Sequence, residues 1–385
     1  MLDRCRRWAL ILACVPLMFA EFTSAAELPE LLQTIRNIGP EGQGNREAAA
    51  AWQELIASKS PDLIAVLSAL DDANPLAENW LRSAFETLAD RQLRQNRSLP
   101  AAELEKFIRQ TEHNPRARRL AFEWLTRVDP QLPDRLIPGM LNDPSVEFRR
   151  DAVERLLTAA RAAEETDANS ARSLYQQALV GARDDDQIKA IIKPLEKLGY
   201  RVDLPAHFGF ILDWQLIGPF DNTDMKGFDV PYPPEIEIDL AARYPGKEGD
   251  VTWESHQTSH DYGILDLAKE TAPHKGAVTY AFAEFITDAA QEVDIRLGTP
   301  NAWKLWVNGE YLFGRQEYHR GMQLDQYQVR ARLKPGKNQI LLKVCQNEQK
   351  DDWAQRWQFQ LRVCDSAGTA ILSKARPTLK SASAN

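Results

Sequence analysis

The spacing of apolar residues changes near residue 205, and that change limits the fold more than any other feature. From Leu28 to about Tyr200 apolar side chains recur at the period of a helix that buries one face. After Gly199 they come in short alternating runs broken by turn residues, the period of half-buried strands. At 385 residues the chain is long for one domain and comfortable for two. The expected architecture is multidomain, α then β. It comprises a helical repeat domain over 27–200, a β-sandwich over 207–372 and a disordered tail over 373–385.

The helical half is punctuated regularly. Ser60-Pro61, Asn74-Pro75, Asn114-Pro115 and Asp143-Pro144 each set a capping side chain before a proline at the first helical position. The cap accepts from an orphan N–H, and the proline has none to satisfy. The helices that follow align with one another. Ala84, Ala121 and Ala152 are each followed four positions later by leucine. A small residue lets two helices approach, and a leucine one turn on fills the groove between them. This is a repeat of helix pairs. Residues Leu141 to Leu157 resemble a HEAT-type repeat, through Arg149 with Ala152 and, in the copy before, Arg118 with Ala121. Leu81 stands where the first copy would carry its arginine. The resemblance covers about residues 60–160, with helices at 28–58 and 167–198 as caps. It implies an α-solenoid with a surface for protein partners, and no chemistry. A plain helical bundle is the alternative. Asp184-Asp185-Asp186 lacks the alternating ligands and glycine of a calcium loop and suits a helix N-terminus.

In the second half, strands are expected over 251–254, 277–287, 291–297, 302–307, 327–333, 338–345 and 357–364. Asn308-Gly309 fits a tight hairpin turn whose two central residues need positive φ. Lys334-Pro335-Gly336-Lys337 places proline and glycine where a type II turn wants them. Alternation then turns Ile340, Leu342 and Val344 inward. Val293 to Gly298, Trp303 to Glu310, Leu333 to Val344 and Phe359 to Val363 resemble the galactose-binding-like jelly roll, as in the sugar-binding domain of glycoside hydrolase family 2. Upstream, Trp214 to Asn222, Tyr232 to Glu235 and Tyr244 to Lys247 are similar to segments of large secreted bacterial proteins that carry this sandwich. Relatives often place acidic residues after the strand ending in Leu-Gly. Here the loop reads Thr299-Pro300-Asn301 instead.

Arg4, Arg6 and Arg7, then an apolar run from Trp8 to Ala20 and Ser24-Ala25-Ala26, read as a signal peptide over 1–26. The run is short of the ~20 residues a spanning helix needs, so no membrane span is expected after cleavage. Cys14 after Leu12-Ala13 is a weaker lipoprotein signal. The expected location is periplasmic or secreted. A net charge of −8 with no basic block argues against a nucleic-acid partner. Cleavage leaves Cys345 and Cys364, a candidate disulfide. Each shares parity with a charged neighbour (Lys343, Arg362), and register decides whether they meet.

Catalytic signatures are missing: no G-x-S-x-G, H-E-x-x-H, P-loop or C-x-x-C-H occurs. No cofactor or metal is expected. His256 and His260, four apart beside Asp261, lie in a polar loop, where that spacing carries little. The expected function is non-catalytic binding or scaffolding, with carbohydrate or cell-envelope glycan on the β domain and a protein partner on the helices. A purely structural interaction protein and an envelope hydrolase are the alternatives. The candidate ligand-binding residues are Trp306, Tyr318, His319, Arg320, Trp353 and Trp357. An outward indole stacks on the C–H face of a sugar ring, and loops at one end of a sheet domain are where recognition groups gather. Trp303, of opposite parity to Trp306, is assigned to the core.

Overall fold

The computed structural model describes residues 27–59 and 62–376. The segment expected to be a signal peptide (1–26), Ser60-Pro61 and residues 377–385 of the expected tail lie outside the described residues. Helices occupy the N-terminal half and antiparallel sheets the C-terminal half. The chain forms two compact units that divide between Pro130 and Gln131, within the helical half.

The first unit contains α1 (Leu28–Arg36), α2 (Asn45–Ala57), α3 (Leu63–Ser68), α4 (Pro75–Arg94), α5 (Ala101–Arg109) and α6 (Pro115–Thr126). Two caps act as their sequence implies. Asn74 Oδ1 accepts from Leu76 N and Ala77 N, and Asn114 Oδ1 from Arg116 N and Ala117 N. Each asparagine also reaches backwards. Asn74 Nδ2 donates to Ile38 O at 2.7 Å, and Asn114 Nδ2 to Leu70 O at 3.0 Å. One side chain thus starts a helix and ties it to an earlier turn. Asp62 caps α3. Ala84, Leu88, Ala121 and Leu125 are buried, as close helix packing requires.

The second unit opens with α7 (Leu132–Leu136), α8 (Val146–Ala163), α9 (Ala168–Gly181), α10 (Asp185–Lys197) and α11 (Leu204–Phe208). Here the Asp143-Pro144 expectation needs correcting: α8 starts at Val146, after Ser145, and Asp143 Oδ1 instead accepts from Ser145 N. The triple aspartate opens α10, where Arg150 pairs with Asp184 and Asp186. The hydrogen bond from Arg150 draws the Asp186 carboxyl down to about 2.

Twelve strands follow: β1 (Asp213–Asp221), β2 (Arg243–Pro245), β3 (Asp250–Thr252), β4 (Glu254–Gln257), β5 (Leu265–Asp266), β6 (Ala277–Thr287), β7 (Gln291–Gly298), β8 (Ala302–Val307), β9 (Glu310–Arg315), β10 (Tyr327–Leu333), β11 (Gly336–Gln346) and β12 (Gln358–Cys364). They make a six-stranded sheet, β4-β1-β6-β11-β8-β9, a four-stranded sheet, β10-β7-β12-β5, and a β2-β3 pair. Every named pairing is antiparallel, and neither larger sheet closes into a barrel. One apolar cluster takes alternate residues from both larger sheets, including Trp303, Leu305, Ile340, Leu342 and Val344 from one and Ile295, Leu297, Phe359 and Leu361 from the other. The hairpin turn has the backbone its residues demand, with φ of 53° at Asn308 and 82° at Gly309.

A second cluster covers the opposite face of the six-stranded sheet. Phe220, Phe228, Tyr280, Phe282, Trp306, Leu341 and Cys345 pack there, with Tyr232 and Tyr318 against them. Its polar centre is Lys343, wholly buried on β11. The ammonium donates to Phe228 O (3.0 Å), Val230 O (2.8 Å) and Glu235 Oε1 (2.7 Å). All three of its donors are used. The face of the four-stranded sheet away from the shared core carries a comparable group. Arg362 donates through Nε to Asp325 Oδ1 (2.6 Å) and through Nη1 to Phe208 O (2.9 Å), and Arg296 Nη1 reaches Asp325 Oδ2 (3.0 Å).

The candidate disulfide does not form. Cys345 and Cys364 are free and buried, on strands of different sheets. Shared parity with Lys343 and Arg362 would let the two thiols point to one sheet face, but the strands that carry them belong to different sheets, and neither thiol joins the core the sheets share. Burial pushes the Cys345 thiol up to about 12 and the Cys364 thiol up to about 11. A chain starting at Glu27 is therefore expected to give almost no reaction with a thiol reagent when native, and two thiols per chain in guanidinium. Rapid labelling of either cysteine in the native protein contradicts this placement.

Candidate ligand surface

Two loops meet at one end of the sheets: 316–326 between β9 and β10, and 347–357 between β11 and β12. His319, in the left-handed region with φ of 57°, places Nε2 2.6 Å from Asn347 Oδ1. That oxygen accepts from Gln349 N as well, so the ring's Nε2–H is the donor and Nδ1 is left as an acceptor. The His319 ring stands edge-on to Trp353, with centroids 5.2 Å apart and planes at 89°. Trp353 is 62% exposed, the most open of the candidate tryptophans. Tyr318 turns inward, accepting from Asn222 Nδ2 at 3.2 Å, and burial raises its hydroxyl pKa. Arg320 is exposed and pairs with Glu317 at 3.3 Å, while its N–H donates to Pro300 O.

The platform has a rigid base. Asn301, 1% exposed, accepts from Gln358 N and donates to Gln346 Oε1 and Arg356 O. Thr299 Oγ1 donates to Gln358 O at 2.8 Å. The loop that departs from its relatives' acidic pattern is therefore an internal brace. It keeps the two outer loops at fixed height.

The six candidate residues separate cleanly. Tyr318, His319, Arg320 and Trp353 lie on these two loops, with His319 and Trp353 in ring contact. Trp357 is fully enclosed in the shared core, so its assignment as a ligand residue is corrected. It opens the core-facing series Trp357, Phe359, Leu361, Val363. Trp306 points away from the shared core but is 7% exposed, covered beside Tyr311 with ring centroids 5.6 Å apart. It too lacks an open face. Asn347, which orients His319, was missed. Its signal was the end of β11 pairing at Gln346, visible only once register is known.

Elsewhere on the second unit, His256 and His274 line a polar cavity of about 230 Å³. His256 Nδ1 lies 3.1 Å from Glu270 Oε2, and His274 Nδ1 lies 3.3 Å from Glu248 Oε1. His260 accepts from Tyr262 N, so the histidines four apart serve separate partners.

No protein-family model and no curated protein matches this chain. Among solved structures it is similar to a β-glucosidase from Kluyveromyces marxianus in complex with glucose, at 9% identity and a TM-score of 0.25, over 41% of this chain and 16% of that one. It is also similar to the GH31 α-xylosidase from Xanthomonas citri, at 11% identity and a TM-score of 0.19, over 32% and 15%. The chain thus spans less than a fifth of either enzyme. At these TM-scores neither likeness carries an argument about fold or activity.

Proposed function

We propose that this is a secreted, non-catalytic binding protein whose β domain, a jelly-roll-like sandwich, holds carbohydrate at the His319–Trp353 edge. The observation that carries this reading is the open Trp353 ring, flanked by the His319 edge with the exposed Arg320 guanidinium on the same loop pair. An indole face suits the C–H side of a sugar ring. His319 Nδ1 and Arg320 supply an acceptor and donors for hydroxyls at its margin. Mechanism is docking onto a braced platform, with no bond made or broken. The helices belong to the same reading as HEAT-like pairs. Arg118 Nε donates to Ile108 O, and Arg149 Nη1 to Asp143 O, each buried arginine tying down a carbonyl shortly before it.

Glycan-array screening followed by calorimetry tests the proposal. Trp353→Ala is expected to weaken binding of a retained glycan at least about tenfold while leaving thermal stability nearly unchanged, because the ring is mostly in solvent. Unchanged affinity in Trp353→Ala removes the platform. One observation favours a purely structural interaction protein instead: Trp306 and Trp357, two of the three candidate stacking residues, are buried. On that reading the array stays blank, and a protein partner protects Trp353 from oxidation.

A further inference from the structure

Helices α2 and α4 of the first unit leave between them an open groove of about 470 Å³. That lies within the roughly 300–1,000 Å³ of ligand pockets. The helical period explains its walls. Helix α2 buries Ala48, Ala51 and Leu55, and α4 buries Ala77, Leu81, Ala84 and Leu88. Trp52 follows Ala51 directly, and Trp80 directly precedes Leu81. Each indole therefore sits at the border of a buried stripe, roughly 100° round the helix from its neighbour. Both remain partly exposed. Ala49 lies one turn from Trp52 and Ser83 one turn from Trp80, so each indole has a small neighbour on its own helix that also lines the groove. Gln53 and Asn79 complete the lining.

None of these six lining residues is charged, in a chain where 26% of residues are. An ionic ligand would lose hydration without gaining a counter-charge. The polar members are two amides and a hydroxyl, groups that both donate and accept. They match vicinal hydroxyls, which do the same. A proline-rich segment is the other occupant that aromatic troughs take. It offers carbonyl acceptors and needs indole N–H donors at the surface. The Trp52 Nε1 atom is buried, so that indole offers no N–H to such a carbonyl.

We infer that the Trp52–Trp80 groove binds a neutral, equatorially substituted pyranose oligosaccharide by stacking, with Gln53, Asn79 and Ser83 bonding its hydroxyls. This site lies in the helical unit and does not depend on the Trp353 platform. The test is calorimetry on the chain from Glu27 onward, using cellotetraose and chitotetraose, in a Trp353→Ala background that silences the other platform. Saturable binding is expected there, weakened about tenfold or more by adding Trp80→Ala. Adding Gln53→Ala with Asn79→Ala, which spares both indoles and the helix cores, is expected to weaken it about threefold to tenfold. Helical circular dichroism that is unchanged in both variants ties the loss to the groove. The inference is overturned if neither tetrasaccharide binds the Trp353→Ala protein, if Trp80→Ala binds with unaltered affinity, or if hexaproline occupies the groove in their place. A loss in Trp353→Ala alone removes this site while leaving the β-domain proposal standing.

Discussion

Asp325→Ala is expected to destabilise the second unit by about 3–5 kcal/mol, the cost of stripping one partner from a buried ion pair. For a unit of this size that is a fall in melting temperature of very roughly 6–20 °C. Arg362 is 1% exposed, and Asp325 is the carboxylate it meets through two nitrogens. Without it, Arg362 keeps only the carbonyls of Phe208 and Gly368, and Arg296 loses one of its two carboxylates and keeps Asp294. Arg362→Lys is expected to lose much of the same energy, because an ammonium cannot reproduce the two-point contact.

The same carboxylate sets an acid limit. Burial acts to raise the Asp325 pKa, but hydrogen bonds and charge from Arg362 and Arg296 outweigh it and hold the group below the ordinary value. A folded-state pKa below the unfolded one gives stabilisation that is fully present above the unfolded value. It is lost as pH falls through the folded value. Denaturant melts of wild type and Asp325→Asn at descending pH should converge below the carboxylate range. A constant gap between them at all pH values argues that this charge is not coupled to folding.

The second large effect is expected at Lys343. Glu235→Ala leaves a wholly buried ammonium with two backbone carbonyls and no counter-charge, a loss of about 3–5 kcal/mol. Burial already lowers the Lys343 pKa, so desolvation of this cation is substantial. The double variant Lys343→Met with Glu235→Gln is expected to be less damaged than Glu235→Ala, since it removes both charges together. Urea melts of these variants together with the single changes Lys343→Met and Glu235→Gln decide the matter. Strict additivity places the energy in packing rather than in the pair. Because Lys343 anchors Phe228, Val230 and Glu235, the single variant should also uncover Phe282 and Trp306, read as increased binding of a hydrophobic dye.

The first link, from period to element type, was legible in the sequence. β6, β8 and β10 fall where alternation puts them, and Ile340, Leu342 and Val344 face the core as the turn before them implies. The inward placement of Trp303 follows from the same period. Burial of Trp306 does not. Alternation says which face a side chain takes, not what comes to lie over it. Tyr311 is local, but the rest of the cluster around Trp306 is not: Phe220 and Phe228 come from a segment about eighty residues earlier in the chain. Trp357 was misread for a related reason. At the mouth of a loop its exposure depended on register with β5, a two-residue strand too short to show a period. Parity allowed Cys345 and Cys364 to share a face, but parity cannot say which sheet a strand joins, and β11 and β12 join different ones. His319 and Trp353 are candidates because they are ring side chains on expected loops. That His319 meets both Asn347 and the Trp353 ring is a tertiary fact.

The backward reach of Asn74 and Asn114 has a consequence for how the first unit comes into being. The carbonyls they hold, on Ile38 and Leu70, precede them in the chain. Each latch therefore closes onto something already made, never onto something still to come. A polypeptide emerging amino end first can consolidate these turns in order of synthesis, each new helix finding its anchor waiting.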